Sequence, residues 1–183
     1  MHCHPSRESF SSHLLQSVVD SLKARGSSVQ VRSLYSDTLS DSFDPVLHKV
    51  QWEHYLDGVS NSYLEDACLA DLKSVQSADA LVFVYPTWWF GQPAMLKGWF
   101  EKVLLPHEVF KLGAGRFKNS IIGLEPCLHN IKRIGVVTTY GTPWFAVRYV
   151  GDPGRRLIAR AIRPLCAKDC TLLWLPMYSI DTS

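Results

Sequence analysis

The chain has 183 residues, 46% of them hydrophobic and 20% charged, and a formal net charge of +2 at pH 7. That length suits one domain, residues 1–183, with enough core to fold without staples, and a charge so close to balance argues against a nucleic-acid partner. No apolar run reaches the roughly 20 residues that span a bilayer as a helix, so a chain that does not span the membrane is expected.

The start, Met1, His2, Cys3, His4, Pro5, lacks the charged and apolar regions of a signal peptide. The five cysteines, Cys3, Cys68, Cys127, Cys166 and Cys170, are odd in number and scattered, which fits free thiols in a reducing compartment. A cytoplasmic protein is expected. Adjacent residues turn to one metal ion with difficulty, so His2, Cys3 and His4 are read as a disordered terminus and no metal site is assigned.

Ser9 is a good N-cap, and Phe10, Leu14, Leu15, Val18, Val19 and Leu22 recur at helical spacing until Gly26, predicting a helix over about 10–25. Val29, Val31 and Leu34 predict a strand. From Thr38 to about Asn61 the chain is polar, with Phe43 to Leu47 its one compact feature, and a surface excursion is expected. Leu64, Cys68, Leu69, Leu72 and Val75 share one helical face. Ala80 to Tyr85 is a buried strand, and Pro93 opens a helix that runs to about residue 104. Residues 105–130, with Pro106, Gly113, Gly115 and Pro126, predict loops with at most short strands. Ile134 to Thr139 is another buried strand, Asp152 and Pro153 start a helix that continues to Pro164, and Thr171 to Leu175 is the last strand.

Strands apolar on both faces and alternating with helices predict a doubly wound parallel sheet in a single α/β domain. Such a sheet begins with a strand feeding the first loop, yet only Met1, His2 and Cys3 precede His4. The last strand is followed by eight residues and no closing helix. The first strand and last helix are therefore expected to be truncated.

In open α/β sheets ligands bind at the carboxyl ends of the strands. Three loops fall there. Pro86, Thr87, Trp88, Trp89 and Phe90 follow the strand at 80–85, and aromatics between a proline and a glycine offer a flat surface and backbone N–H groups to a planar, partly polar ligand. A flavin ring fits that description. Trp99 and Phe100, on the following helix, are assigned to the core or a subunit contact. His4 to Ser11 meets the amino end of the first helix, where unpaired N–H groups and the Ser9 and Ser11 hydroxyls suit a phosphate, although Ser9 alone reads as an ordinary cap. Thr138, Thr139, Tyr140 and Gly141 form the third loop, which alone reads equally as a strand-ending turn.

Other motifs are missing. The sequence has no G-x-G-x-x-G or G-K-[ST] loop and no nucleophile elbow, so dinucleotide-fingerprint, P-loop and hydrolase sites lack support. Cys166 and Cys170 have no partner pair and are read as structural. Arg148, Arg155, Arg156, Arg160, Arg163 and Lys168 are read as a solvated helix face.

The run YPTWWFGQPAMLKGWFEKV, together with HPSRESFS, SLYSD followed by FDPVL, and VTTYG, resembles the flavodoxin-like NAD(P)H:quinone oxidoreductases. Their bacterial relatives include modulators of drug activity and ancillary subunits of potassium efflux systems. The resemblance covers nearly the whole chain. It implies strand order 2-1-3-4-5, a homodimer, tightly held FAD or FMN, and NAD(P)H as electron donor to a quinone or similar small acceptor. By position, it implies that His4, Ser9, Phe10 and Ser11 line the flavin phosphate site. Pro86, Thr87, Trp88, Trp89 and Phe90 run along the ring, and Thr138, Thr139, Tyr140 and Gly141 close the other side.

The chain departs from the family's pattern in the last loop. A tyrosine and a histidine assist charge transfer in the quinone reductases, whereas here Tyr140 replaces the first glycine and no histidine lies between Tyr140 and Arg163. No catalytic acid is assigned, and Trp144, Arg148 and Tyr149 are candidates to face substrate. The alternatives to the oxidoreductase are a regulatory subunit docking on a membrane transporter and a truncated fragment without function.

Overall fold

The computed structural model describes residues 1–35, 66–112 and 124–180. The excursion expected at 38–61, with the Phe43 to Leu47 feature, lies outside them.

Three seven-residue strands, β1 (Ala80–Pro86), β4 (Arg133–Thr139) and β5 (Thr171–Met177), pair in parallel in the order β1-β4-β5, with Val84 opposite Val137 and Val137 opposite Leu175. A short antiparallel pair, β2 (Phe110–Leu112) and β3 (Leu124–Pro126), stands apart, matching the expected short strands.

The amino terminus corrects the sequence reading. Instead of a disordered end, His2 bridges Val84 on one side and Ser33 on the other, both in parallel. The Val84 amide donates to the Met1 carbonyl at 2.9 Å and the Cys3 amide to the Val84 carbonyl at 3.0 Å. Across the other edge, the His2 amide donates to the Arg32 carbonyl at 2.8 Å and the Leu34 amide to the His2 carbonyl at 2.9 Å. Three residues thus hold the interior position between the outer ladder and β1 in a 2-1-3-4-5 sheet, and buried backbone groups find their partners. Arg32 to Leu34 forms the outer ladder, while Val29 and Val31 stay outside it and Val31 is exposed.

Helices flank the sheet. α1 (Phe10–Ala24) lies against β1 and β4, and Gly26, at φ 79°, follows its end. The opposite face carries the main core, in which Leu81, Phe83 and Tyr85 of β1 and Ile134 and Val136 of β4 join residues of two helices. α2 (Asp66–Ser77) brings Cys68, Leu72 and Val75, and α3 (Ala94–Val103), capped by Pro93, brings Leu96, Trp99, Phe100 and Val103. Trp99 is fully buried, and its indole N–H donates to Asp71 at 2.8 Å. Asp71 also pairs with Arg32 at 3.0 Å, so this carboxylate ties α2 and α3 to the outer ladder.

α4 (Trp144–Val150) was not anticipated: Pro143 caps its start and Gly151, at φ 91°, its end. The helix expected from Asp152 to Pro164 is one helical run of changing pitch. α5 (Pro153–Leu157) passes into a π-helical turn at Ile158–Ile162 and a 3-10 turn at Arg163–Leu165. Cys166 and Cys170 are buried at its end, as a structural role requires, and burial pushes the Cys166 thiol up to about 12. Among the described residues no helix is long and apolar enough to cross a membrane.

Candidate functional site

β1 delivers the chain to Pro86 beside Thr139 of β4, where the Thr87 amide donates to the Thr139 carbonyl at 2.7 Å. The next four residues close on themselves. The Trp88 amide donates to the Gly91 carbonyl at 3.2 Å and the Gly91 amide donates back to Trp88 at 3.0 Å. Trp89 and Phe90, at the tip, have φ of 50° and 61°. Two consecutive left-handed residues define a type I′ turn, which normally takes Asn and Gly, and for L-residues that conformation costs on the order of 1–2 kcal/mol each. The tip is also uncovered: Trp88 is 41% exposed and Trp89 97%.

A cavity of about 410 Å³ lies between this turn and the loop after β4, bounded by Thr87, Trp88, Trp89 and Phe90 on one side and by Tyr140, Gly141 and Thr142 on the other. Its volume is that of a small-molecule site. Among the described residues, the amides of Trp89, Phe90, Gly141 and Thr142 have no protein acceptor, so both walls carry spare donors.

Behind the second wall the side chains are committed to each other. Thr138 and Thr139 are buried, and the Thr138 and Thr87 hydroxyls bond at 2.8 Å. Thr138 and Thr139 therefore support the cavity through the backbone they fix. Tyr140 turns its hydroxyl inward to donate to Asp152 at 2.9 Å, and its ring stacks on Tyr178 with centroids 5.1 Å apart. Burial, and then the neighbouring Asp152 carboxylate, push the Tyr140 phenol well above its ordinary range. Burial likewise raises Tyr85. Neither phenol is tuned to release a proton near neutral pH.

The third loop lies alongside. The His4 ring stands 6.3 Å from that of Trp88, tilted by 56°, and its Nδ1 accepts from the Ser6 amide at 3.0 Å. Ser9 caps α1, its hydroxyl oxygen accepting from the Ser12 amide at 3.2 Å and sharing a hydrogen with the Ser12 hydroxyl. The Ser9 oxygen thus has the cap role that was weighed against phosphate binding. Ser11 is buried and Phe10 half exposed. The amides of Phe10 and Ser11 remain without protein acceptors among the described residues, and the first turn of α1 holds no acidic side chain, so its positive end stays open to an anion.

The structure thus brings together all three expected loops, and Trp144, Phe145 and Tyr149 stand exposed on α4, two residues past Thr142 at its start. Sequence reasoning missed Thr142, Gln92, Asp152, Gly154 and Tyr178. For Asp152 the Asp-Pro-Gly signal was present but was read only as a helix start. Among the described residues no cluster of His, Cys, Asp and Glu could hold a metal ion.

A parallel 2-1-3-4-5 sheet with these loops gathered at its carboxyl edge defines a doubly wound α/β protein. More narrowly, the chain belongs to the flavodoxin-like fold family, whose model matches residues 1–165. It is 33% identical over 113 residues to NAD(P)H dehydrogenase [quinone] 1 of Cavia porcellus, a match covering 55% of this chain and 40% of that relative. Its match thus spans less than half the length of that relative. Among solved structures it resembles the NAD(P)H:quinone oxidoreductase from Methanothermobacter marburgensis, with a TM-score of 0.74 at 20% identity over 98% of this chain and 82% of the other. It also resembles an FMN-dependent NADH-azoreductase from Bacillus anthracis in complex with FMN, with a TM-score of 0.68 at 17% identity over 97% and 84% of the two chains.

Proposed function

We propose that this chain is a flavin-dependent oxidoreductase that passes two electrons from NAD(P)H, through bound FMN or FAD, to a quinone or similar small acceptor. The observation that carries the reading is the cavity between the Trp88–Gly91 turn and the Tyr140–Thr142 loop, a space of ligand size lined by residues with an exposed indole and unpaired amides. The residues fit a flavin. Flat apolar rings suit the isoalloxazine faces, unpaired amides suit its carbonyl and nitrogen edge, and the open amino end of α1 beside His4 suits the phosphate. The fold's likeness to an FMN complex and the sequence likeness to a quinone dehydrogenase support the same reading.

When bound, the flavin supplies the hydride and electron transfer. The protein's share is position. Trp88, Trp89 and Phe90 hold one side of the ring, Gly141 and Thr142 the other, and the Thr87, Thr138 and Thr139 bonds keep the two walls in register. No side chain at the cavity is assigned as acid or base. A homodimer, with the exposed Trp144, Phe145 and Tyr149 of α4 near the contact, and a cytoplasmic location complete the proposal.

Purified chain titrated with FMN and with FAD tests it. The expected result is saturable quenching of flavin fluorescence by one of them, and NAD(P)H oxidation that requires both that flavin and a soluble quinone. No binding of either flavin would overturn the reading.

A further inference from the structure

The two walls of the cavity meet behind it at one bend, Asp152 to Gly154, where the N-cap and first turn of α5 follow α4. From this bend the Gly154 amide donates to the Phe90 carbonyl at 3.2 Å, and the Gly154 carbonyl accepts from the Gln92 side-chain amide at 2.8 Å. A Cβ on Gly154 would lie 3.4 Å from both the Gly91 Cα and the Phe90 oxygen, so the bend passes close enough to the aromatic turn that any added side chain would touch it. Two residues earlier, Asp152 accepts from the Tyr140 hydroxyl at 2.9 Å and from the Arg155 amide at 3.3 Å. Asp152 is itself left-handed, at φ 48°.

We infer that the Asp152–Gly154 bend, locked by Gln92, is a brace that fixes the distance between the aromatic turn and the Tyr140–Thr142 wall. Gln92, Asp152 and Gly154 are positioning residues for whatever planar ligand the cavity takes. The physical need is clear: Trp89 and Phe90 sit in a conformation their side chains disfavour, and within the turn only the two backbone bonds between Trp88 and Gly91 hold it. The bonds from Gly154 to Phe90 and from Gln92 to Gly154 anchor it from the protein side. Because the same bend holds Tyr140, loosening either contact changes the gap between the walls, and a gap that must match a ring thickness is sensitive to small displacements.

The ligand half of this inference rests on the flavin reading; the brace does not. The test uses the full chain carrying Gln92→Leu, Asp152→Ala or Asp152→Asn, with amide hydrogen exchange measured without flavin and the FMN dissociation constant measured separately. Gln92→Leu is expected to lose protection at the Gly154 and Gly91 amides while β1 and β4 keep theirs, and to weaken FMN binding about tenfold. Asp152→Ala is expected to behave alike, and Asp152→Asn, which keeps an acceptor and tolerates the left-handed backbone, to restore both readouts. Unchanged protection at both amides in Gln92→Leu and Asp152→Ala would overturn the brace. If the wild-type chain binds no FMN or FAD, the flavin reading fails while the exchange result still decides the brace.

Discussion

Two aromatic groups lie about ten residues apart in the same run, and the protein treats them in opposite ways. Trp99 and Phe100 meet Phe83 edge-to-face with centroids 5.5 to 6.4 Å apart, and the one polar atom of the Trp99 ring is satisfied by Asp71. That is what a core asks of an indole: large buried area, a favourable ring geometry and no orphan donor. Trp88, Trp89 and Phe90 gain little of this. Trp89 is almost wholly in solvent, on a left-handed backbone that a glycine would adopt freely. Under the proposed flavin site, a group that adds so little to the core and is held by the Asp152–Gly154 bend has its use in binding.

The contrast can be broken by substitution. Trp99→Ala has the largest expected effect, a loss of about 3–5 kcal/mol in urea unfolding, because it opens a cavity and leaves Asp71 without its indole donor. Trp89→Gly is expected to change stability by less than about 1 kcal/mol, since relief of the left-handed strain offsets the added chain entropy, while weakening flavin binding about tenfold. A Trp89→Gly variant as unstable as Trp99→Ala would mean that the turn is part of the core, and the contrast would fall.

The elements legible in sequence were those whose signal is local and repeated. The apolar run into Pro86, the proline at 93 and the helical spacing after Ser9 each gave their element within a few residues. α4 escaped because its seven residues are too few for a periodicity, and its aromatic residues Trp144, Phe145 and Tyr149 face solvent; the proline before it and Gly151 after it were the available signals. The interior position of Met1 to Cys3 in the sheet escaped for a different reason. Three residues have no pattern, and their place is set by hydrogen bonds to Arg32, Leu34 and Val84 far along the chain. Likewise the three ligand loops could be placed at one sheet edge from topology alone, but the bond that braces them joins Gln92 to Gly154 across 62 positions and leaves no local trace.

The most direct test of the account is an amide chemical-shift titration of the uniformly labelled protein with FMN and with FAD. The account predicts that one of them gives saturable shifts, largest at Trp89, Phe90, Gly141 and Thr142, with Phe10 and Ser11 following as the phosphate seats. Flavin binding whose shifts leave Trp89 and Phe90 unmoved would contradict it.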